Sequence, residues 1–511
     1  MNKLSFCQAC GADRFTAALN KTGDALFGVE GPGIGRLADD KLGIFVEGGK
    51  WKGCWSQNYF GMFCTTPLLT GKYLACHLGT LELFFDFQGD GKRADDNGFT
   101  APPGALPEYV TLYNPLPGPR YKNDESSGLA EEFDFWVEGN AVSVLSLCDV
   151  LLASRNEAKI RELLPKIEKC LDFILSRKDE KTNLLKVGVA GTLIERAYGA
   201  TFRSKGVTDY GLPSGTVVNT IQALRLAAEV EELAGCLSQA EIYRAQALQF
   251  TKALEQLIEN DEFLINYIDA DGIRHGVPGA AVHGYFETNC NHDAAFWGVV
   301  PDKTAVSILK KIISISPTPL APCVWKIHDD SHWSYQKSDL AYGGAGCHWN
   351  GAAWFSSQAR YLGALLKYGF YDEACAAAET MKNIYDSGTM RDVMDDYGKR
   401  HIGGVDNPDA PDAYYIDGFG TFGGLLRGVA GLEYKANAIT LTPHFPAELS
   451  SYKQLRPYYW GQKELYLRIE GQGKSVKEIS VNGQKCSLQG NSVTLDYASL
   501  PEKAEILFNR I

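Results

Sequence analysis

The chain has 511 residues, of which 45% are hydrophobic, 11% aromatic and 22% charged, and its net charge is −12. This is the composition of a globular protein, which excludes a long disordered chain. The acidic balance argues against nucleic acid or an anionic membrane surface as a partner and suits a small neutral or cationic ligand. The length corresponds to about three average domains or one large domain with an attachment. The sequence carries no signal for an oligomeric state.

The 13 cysteines are odd in number and scattered, and Cys148 and Cys170 lie inside apolar helical runs, as free thiols of a reducing compartment do. The start of the chain, MNKLSFCQACGADRF, has no apolar run of signal-peptide length. No stretch approaches the ~18 apolar residues that cross a bilayer. We therefore expect a cytoplasmic protein. Cys7 and Cys10 form one CxxC with no second pair nearby, which favours a loose N-terminal segment over a zinc or redox site.

The helical period of apolar residues dominates from about residue 56 to 432. It is clearest at 156–176, where apolar residues recur at spacings of three and four and charged residues occupy the other face. In chain order, this pattern predicts helices at about 12–19, 56–69, 73–88, 130–153, 156–176, 217–234, 238–259, 286–298, 302–315, 350–368, 371–386 and 413–431.

Most of these helices form close pairs, because only a few residues separate the partners, and short links force antiparallel neighbours. Longer connections rich in Gly, Pro, Asp and aromatic residues separate one pair from the next, at 89–128, 179–215, 260–285, 317–349 and 387–412. Hairpins that close into a ring would bring all the long loops to one end, where they could build a pocket. A solenoid is the competing layout, but no fixed-period repeat supports it.

After about residue 433 the pattern changes to short strands. Segments such as 438–442, 464–469, 492–495 and 504–508 alternate or cluster apolar residues, and turns such as Asn482-Gly483 separate them. This predicts a small β module of about 75 residues that packs on the helical body.

The long loops combine Trp and Tyr with Asp, Asn, His and Gly, above all at 324–355. A sugar ring requires flat aromatic faces for its CH groups and short polar side chains for its hydroxyl groups. A single Trp in such a loop is more often a core residue, but the cluster favours a ligand role. There is no phosphate-binding glycine motif and no nucleophile elbow.

Three segments resemble the (α/α)6-barrel glycosidases, the group that includes trehalases, processing α-glucosidases, rhamnosidases and inverting disaccharide phosphorylases. In HWNGAAWFSSQARYLGALLKYGFYDEACAAAETM (348–381), a Trp-(Arg/Asn)-Gly-x-x-Trp turn opens a barrel helix. Residues 414–446 are similar to the closing segment, in which the last barrel helix runs into a strand, and 131–174 are similar to a helix pair. Asn350 stands where many members have Arg. Together these segments cover most of the chain after residue 50.

The resemblance implies a mainly α fold, an (α/α)6 toroid of helical hairpins at 1–432, followed by a β-sandwich-like module at 433–511. It implies a glycosidase that inverts configuration on a small oligosaccharide or glycoside, with no cofactor and no metal. Such enzymes use one carboxylic acid to protonate the leaving oxygen and one carboxylate to activate water. The two carboxyl groups must stand ~6.5–9.5 Å apart to admit that water.

In the relatives the acid lies in the loop between the second and third helix pairs, which here spans 188–215 and offers Glu195 and Asp209. Asp209 occupies the place of the family's loop Asp and is preferred. Glu195, beside Arg196, is the alternative. Each also has an ordinary explanation, since Asp209 suits a turn and Glu195 an exposed ion pair with Arg196.

The base in the relatives is a Glu in the loop after the helix that follows the Trp-x-Gly turn. In MRDVMDDYGKR (390–400), Asp395 aligns best, although Asp is one methylene shorter than Glu. Asp392 and Asp406 are alternates. Adjacent acids in a loop are commonly only solvated.

The remaining candidates are for sugar binding. The turn FQGDG, with Gln88 and Asp90, resembles one that borders the sugar site in the relatives. Glu132 and Asp134 open a predicted helix that faces the same end, where acids are also ordinary dipole partners. The predicted stacking wall and its polar neighbour comprise Trp55, Trp325, His348, Trp349, Asn350 and Trp354. The run His328-Asp329-Asp330 with His332 lacks the scaffold of a known zinc motif.

Three alternatives stay open. A disaccharide phosphorylase would keep the fold and use phosphate in place of water, and cationic residues, among them Arg391 and Arg400, surround the proposed base. A non-catalytic carbohydrate-binding protein would bind sugar without turnover. Isomerases and lyases with helical barrels use His and Tyr, for which the sequence offers His275, His283 and His348.

Overall fold

The structure of the protein is a computed structural model that describes residues 5–29, 33–48, 53–95, 98–112, 117–121, 135–188, 210–280, 284–326, 351–388, 393–394, 400–401 and 414–511. Within these ranges the chain forms eleven α-helices: α1 (Asp13–Phe27), α2 (Gly71–Asp86), α3 (Val137–Ser154), α4 (Glu157–Leu175), α5 (Ser214–Leu233), α6 (Leu237–Leu254), α7 (Thr288–Trp297), α8 (Asp302–Ile315), α9 (Phe355–Lys367), α10 (Tyr371–Asp386) and α11 (Ile416–Ala430). Short 3-10 helices span Ile34–Leu37, Ser56–Tyr59, Met62–Leu68 and Glu255–Leu257.

The helices agree with the sequence pattern except near the N-terminus and at 56–69. The prediction for that segment was wrong, because it forms two 3-10 helices; Pro67 has no amide hydrogen to donate and disfavours a continuous α-helix. Helix α1 is longer than the predicted 12–19, since buried apolar residues continue at helical spacing to Leu26 and Gly28 ends the helix in the left-handed conformation. Helix α3 begins at Val137 rather than near residue 130.

Six elements are buried along most of their length, whereas the other helices bury only one stripe. The buried set, here called the inner helices, comprises the segment 56–68 and α3, α5, α7, α9 and α11. In α11 every residue is buried. Helix α4 instead buries an apolar face and exposes a charged one. The other outer helices also bury one face and expose the other; they are α1, α2, α6, α8 and α10. A helix that is apolar or small on all sides belongs in a core.

The inner helices run parallel to one another. Thr421, early in α11, donates a hydrogen bond of 2.9 Å to the carbonyl of Phe355, the first residue of α9. One helical turn further on, a Cβ at Gly424 would lie 2.2 Å from the carbonyl oxygen of Ala359, so glycine permits this close approach. Further along, Gly428 faces Gly363. Because the contacts advance in step along both helices, α9 and α11 are parallel.

The inner helices also contact each other in a fixed order. Helix α3 packs against α5, α5 against α7, α7 against α9, α9 against α11, and α11 against Met62–Leu68, which contacts α3. Short links join inner helices to the following outer helices, as at Arg155–Asn156 between α3 and α4. The long connections then return to the start of the next inner helix. They therefore lie at the end where the inner helices begin, which we call the loop end.

Two ion pairs are buried between inner helices. Arg427 of α11 binds Asp149 of α3 through two hydrogen bonds of 2.7 and 2.8 Å and also donates to the carbonyl of Phe63. Arg360 of α9 donates to Asp293 of α7 over 2.6 Å. Removing one member of such a pair leaves an uncompensated charge in a low-dielectric core, which is strongly unfavourable.

Sixteen short strands precede the C-terminal module in the chain: β1 (Cys7–Cys10), β2 (Ala38–Asp39), β3 (Ile44–Phe45), β4 (Gly53–Trp55), β5 (Tyr109–Thr111), β6 (Gly118–Arg120), β7 (Gly211–Pro213), β8 (Ile258–Glu259), β9 (Phe263–Leu264), β10 (Tyr267–Asp269), β11 (Arg274–His275), β12 (Tyr285–Glu287), β13 (Val324–Lys326), β14 (Ala353–Trp354), β15 (Val393–Met394) and β16 (Arg400–His401).

The C-terminal part is a β-rich module, as predicted. Its strands are β17 (Leu432–Tyr434), β18 (Ala438–Leu441), β19 (Ser451–Gln454), β20 (Tyr458–Trp460), β21 (Lys463–Glu470), β22 (Val476–Val481), β23 (Gln484–Cys486), β24 (Val493–Asp496) and β25 (Lys503–Arg510). One sheet has the order β1-β19-β21-β25-β22-β23, with β20 paired to β21, and another has the order β17-β18-β24. The indole N–H of Trp460 donates to the carbonyl of Leu152, so the module packs on the helical body.

The N-terminal segment is an ordered strand of this module rather than a loose segment. Strand β1 pairs antiparallel with β19, from Cys7 opposite Gln454 to Cys10 opposite Ser451. Cys7 is buried, Cys10 is exposed, and burial raises the pKa of the Cys7 thiol to about 12. Residues three apart on a strand point to opposite faces, so these two thiols do not form a shared site. The predicted boundary near residue 433 stays a prediction.

Among the described residues, α3 alone is long and apolar enough to cross a membrane. Its 18-residue window has a mean hydropathy of 1.4, and 94% of that window is buried inside the protein. The sequence interpretation overlooked it because Glu138 and Asp149 interrupt the apolar run. Its position among the other inner helices is that of a core helix.

We predict that Asp149→Asn lowers the free energy of unfolding by about 3–5 kcal/mol, because it leaves the Arg427 guanidinium buried without a carboxylate. Urea unfolding followed by circular dichroism measures the change. The control is Glu157→Gln, which removes an exposed partner of Arg161 and should cost at most about 0.5 kcal/mol. Equal effects of the two substitutions would contradict a stabilising role for the buried pair.

Candidate functional site

Short strand pairs lead into four of the inner helices at the loop end. Strand β4 enters the segment 56–68, β7 enters α5, β12 enters α7 and β14 enters α9. Each is paired with a strand from a long connection: β4 with β5, β7 with β10, β12 with β13, and β14 with β15. For α11, a bridge between Gly48 and Tyr415 has the same role. These pairs fix the connections against the beginnings of the helices.

The residues at these helix starts are mostly aromatic. The residue before the first helical turn is Trp55 for the segment 56–68, Trp136 for α3, Trp354 for α9 and Tyr415 for α11. Because the inner helices are parallel, these aromatic residues share the loop end. Trp325 joins them from strand β13, where it pairs with Phe286. The structure therefore brings Trp55, Trp325 and Trp354, three members of the predicted stacking wall, to one end of the molecule.

Trp55 is half-buried and packs on Tyr109, with ring centroids 4.6 Å apart. The two residues face each other across the β4–β5 pair. A Cβ at Gly53 would lie 2.0 Å from the Tyr109 hydroxyl, so a glycine is required for that ring to lie flat over β4. The Arg120 guanidinium lies over the Tyr109 ring, 5.7 Å from the ring centre. The result is a fixed, partly exposed aromatic surface.

Five carboxyl groups are buried near the loop end, each of them 4% exposed or less: Glu47, Glu108, Glu138, Glu287 and Asp417. Glu138 and Asp417 lie in the first turns of α3 and α11, and Glu287 is the residue before α7. The free N–H groups and the dipole of a helix start favour negative charge there. The converging starts of the inner helices can therefore hold several carboxylates in one region.

Glu47 ties two of these elements together. Its carboxylate accepts a hydrogen bond of 2.8 Å from the Trp55 amide and one of 2.5 Å from the side chain of Asn58. Its backbone carbonyl accepts from the amide of Ile416, the first residue of α11. A single buried residue thus connects the aromatic residue before the segment 56–68 to the start of α11.

Glu138 connects α3 and α5 in a similar way. Its carboxylate accepts a hydrogen bond of 3.0 Å from Asn219. It also lies against the first turn of α5, where a Cβ at Gly215 would come within 2.7 Å of the carboxylate oxygen. The carboxylate is therefore held beside the connection that ends at α5.

Beneath this layer, Asp293 bridges His292 and Arg360. Its carboxylate lies 2.8 Å from the His292 ring and 2.6 Å from the Arg360 guanidinium, which in turn stacks 3.5 Å from the Phe60 ring centre. Burial lowers the pKa of His292, although Asp293 opposes the decrease. His292 is therefore neutral at physiological pH. Together with Asp293 and Arg360 it forms part of the core below the loop end.

The three candidate catalytic residues, Asp209, Glu195 and Asp395, lie outside the described residues. So do Glu132, Asp134, His348, Trp349 and Asn350 among the binding candidates. Two of the catalytic candidates, Asp209 and Asp395, are next in the sequence to residues that the structure describes. Tyr210, next to Asp209, leads into β7, and Met394, next to Asp395, pairs with Ala353 directly before α9.

Gln88 and Asp90 lie in the connection after α2. The Gln88 amide donates to the carbonyls of Gly104 and Lys166, so it anchors this connection to α4. Exposed Asp90 accepts from the amides of Arg93 and Lys92, and these hydrogen bonds lower its pKa. Both side chains therefore have structural partners in this state.

Of the other histidines that the sequence offered, the structure describes His275. His275 lies 3.0 Å from Asp269 and stacks on Tyr267 with ring centres 4.4 Å apart. His283 lies outside the described residues, as does the run from His328 to His332. In the described part of the chain, no group of three or more His, Cys, Asp and Glu residues is arranged to hold a metal ion.

Sequence reasoning did not single out the five buried carboxyl groups. For Glu138 and Asp417 a signal existed, because each acid follows an aromatic residue at the start of an almost wholly apolar helix. The sequence interpretation instead chose Glu132 and Asp134, which lie outside the described residues, whereas the acid in the first turn of the described helix α3 is Glu138. Glu47 and Glu108 lie in connections without regular periodicity, so their burial depends on tertiary contacts.

Solved structures of other proteins share this fold. A GH78-family rhamnosidase of Bacillus sp. GL1 matches 91% of this chain and 42% of its own chain, with a TM-score of 0.55 and 14% identity. A GH63 mannosylglycerate hydrolase from Thermus thermophilus, in complex with glucose, matches 77% of this chain and 97% of its own, with a TM-score of 0.51 and 14% identity. A protein described as a sialidase matches 97% and 42%, with a TM-score of 0.58 and 15% identity.

No protein-family model and no curated protein sequence matches the chain. At this level of identity the structural matches establish the fold, and the chain spans less than half the length of the rhamnosidase and of the sialidase. The sequence resemblance to (α/α)6-barrel glycoside hydrolases is confirmed as a likeness to proteins of that superfamily.

We predict that Glu47→Gln lowers the free energy of unfolding by about 1–3 kcal/mol, because the amide presents one acceptor where the carboxylate presented two to buried donors. Asp39→Asn is the control, since Asp39 accepts from the amides of Lys41 and Leu42 in a more exposed turn. Thermal and urea unfolding measure both variants. A smaller effect at Glu47 than at Asp39 would show that the buried carboxylate does not tie the helix starts together.

Proposed function

We propose that the protein is an inverting glycoside hydrolase that acts on a small oligosaccharide or glycoside. Its proposed framework is an (α/α)6 toroid. The cyclic order of contacts from α3 through α11 and Met62–Leu68 back to α3 supports a closed ring. The outer helices then form the second layer, with the N-terminal α1, which packs against α10 and α11, completing it.

The proposal rests on one observation. The described residues next to Asp209 and next to Asp395 in the sequence both lie at the loop end of the parallel helices. Tyr210 precedes β7 and α5, and Met394 pairs with the residue that precedes Trp354 and α9. Asp209 immediately precedes Tyr210 in the sequence, and Asp395 immediately follows Met394. This adjacency supports the proposal that two carboxyl groups distant in the sequence act on one sugar.

In the proposed mechanism, Asp209 protonates the leaving oxygen, with Glu195 as the alternative acid. Asp395 removes a proton from a water on the opposite face of the ring. A gap of about 6.5–9.5 Å between the two carboxyl groups leaves room for that water. The acid must hold its proton near neutral pH, for which burial or a nearby carboxylate is needed. The carboxylates Glu138 and Glu287 at the same end suit that purpose.

The aromatic residues of the loop end suit the sugar. The partly exposed surface formed by Trp55 and Tyr109 offers a flat face for CH groups. Trp325 is also partly exposed at the loop end, whereas Trp354 is buried there. The mannosylglycerate hydrolase was solved with glucose, which is consistent with a small sugar as substrate here. We propose that no cofactor or metal takes part, and that the protein acts in the cytoplasm without nucleic-acid or membrane partners.

We predict that the purified protein releases free sugar from at least one member of a panel of aryl glycosides and natural disaccharides in phosphate-free buffer. Water is the nucleophile in this account, so adding inorganic phosphate should leave the rate and the product unchanged. Chromatography with detection of free and phosphorylated sugar measures both. A phosphorylated sugar as product would identify the phosphorylase alternative, and sugar binding without turnover would identify the non-catalytic one.

We predict that replacing either catalytic carboxyl group lowers kcat by about 10²–10⁴-fold, the usual contribution of general acid–base catalysis. Asp395→Asn should slow all substrates alike. Loss of the acid, through Asp209→Asn or Glu195→Gln, should slow disaccharides far more than aryl glycosides with good leaving groups, because such groups need little protonation.

The matched control is Glu180→Gln, because Glu180 is an exposed residue that precedes the loop 188–215. It should retain the activity of the unmodified protein, and circular dichroism should show that all variants are folded. If Asp395→Asn and both acid variants keep full activity, the catalytic assignment is wrong even where the protein is a glycosidase.

A further inference from the structure

A cavity lies at the end of the inner helices opposite the loop end. Its volume is about 320 Å³. All six inner helices contribute to its wall, mostly through their C-terminal halves, and strand β17 with Lys435, Thr442 and His444 covers it from the β module. The depth of the helical core separates it from the carboxylates described above.

Two cationic side chains line this cavity without a carboxylate at ion-pair distance among the described residues. Arg225 of α5 donates to the carbonyl of Trp297 over 3.2 Å, and Lys367 of α9 donates to the carbonyl of Phe296 over 3.0 Å. Both therefore cap the C-terminus of α7, and each keeps further N–H groups for another acceptor. Burial lowers the pKa of both groups, while the charge of Glu433 opposes the decrease in each; for Lys367, Asp302 also opposes it and Arg225 adds to it.

The carboxylates nearby do not neutralise these cations. Asp149 is held by Arg427. Glu229 accepts from the amide of Ala436 and lies 3.7 Å from Arg244. Glu433 is exposed at the rim and lies beyond ion-pair distance of Arg225 and Lys367. The lining holds the cationic side chains of Arg225, Lys367, Arg427 and Lys435 against the carboxyl groups of Asp149, Glu229 and Glu433, which leaves an excess of one positive charge.

Neutral polar groups line the same cavity. Gln222 faces it, one helical turn before Arg225. His444 also lines it, and burial together with the neighbouring Lys367 lowers its pKa to about 4, so its ring is neutral at physiological pH. Trp297 contributes its ring to the wall, whereas its indole Nε1 is inaccessible from the cavity and has no hydrogen-bond partner among the described residues.

We propose that this cavity is a binding site for a small phosphate monoester, of about the size of a hexose phosphate. Arg225 and Lys367 contact the dianionic group, since a guanidinium offers a planar pair of donors and an ammonium a compact charge. Gln222 hydrogen-bonds the organic part, and the Trp297 ring packs against it. The volume lies at the small end of the range for ligand sites, about 300–1,000 Å³. This proposal is independent of the proposed function.

Glucose 6-phosphate serves as the probe, and isothermal titration calorimetry with the full-length protein measures its binding. We expect it to bind more tightly than glucose or inorganic phosphate alone, because only the ester uses both the cations and the neutral polar groups. Succinate is the carboxylate comparison. Preferred binding of succinate, or no binding by any phosphate compound, would overturn the assignment.

Lys367→Met should weaken binding by about tenfold, the usual effect of losing one charge-assisted hydrogen bond. Gln222→Leu should weaken it by about three- to tenfold, because it removes the neutral side-chain amide from the wall and keeps a similar volume. The matched control is Lys311→Met, since Lys311 is a half-buried lysine stacked on Phe263, away from the cavity. It should leave the affinity unchanged.

A further variant separates this cavity from the proposed catalytic site. Asp395→Asn should bind the probe as the unmodified protein does, and Lys367→Met should hydrolyse glycosides normally if the protein is a glycosidase. Loss of probe binding in Asp395→Asn with retention in Lys367→Met would place the probe at the loop end and overturn the second site. Circular dichroism on all variants excludes misfolding as the cause of any loss.

Discussion

The parallel packing of the inner helices is the constraint on which the rest of the structure depends. Six buried elements can run side by side only if each is followed by an outer helix that returns the chain to the same end. Close contact between α9 and α11 requires glycine at 424, because a Cβ there would collide with the backbone of Ala359. The pairs Arg360–Asp293 and Arg427–Asp149 join the helices further, and sliding of one helix would separate buried charges.

Because the inner helices are parallel, negative side chains collect at one end of them and positive side chains at the other. The helix starts gather at the loop end, and buried carboxylates such as Glu138 and Asp417 lie there, as the helix dipole favours. The helix ends gather on the opposite side, where Arg225 and Lys367 donate to the last carbonyls of α7. The helix dipole therefore accounts both for an acidic region suited to proton transfer and for a cationic cavity suited to an anion. The aromatic residues before the helices add a surface at the first end only.

The sequence predicted the helices well where a strong apolar stripe or an abrupt boundary marked them, as in α8 and α10, whose bounds it matched. It failed at 56–69, where tertiary contacts with α11 support 3-10 geometry around Pro67. It also missed β1, because a four-residue edge strand pairs with a partner more than 400 residues away. The aromatic residues at the loop end were predictable as a cluster, since Trp in polar loops stands out. The buried carboxylates were not, because Glu47 and Glu138 are defined by contacts between distant segments that no local pattern records.

The central claim is that two loop carboxylates act on opposite faces of one sugar at the loop end. Proton NMR during the first minutes of glycoside hydrolysis tests it most directly, because the anomeric proton reports configuration before mutarotation. The account predicts that the first sugar released has the anomeric configuration opposite to that of the substrate. Release of the same anomer would contradict it, since retention needs carboxyl groups only about 5–5.5 Å apart and a covalent intermediate.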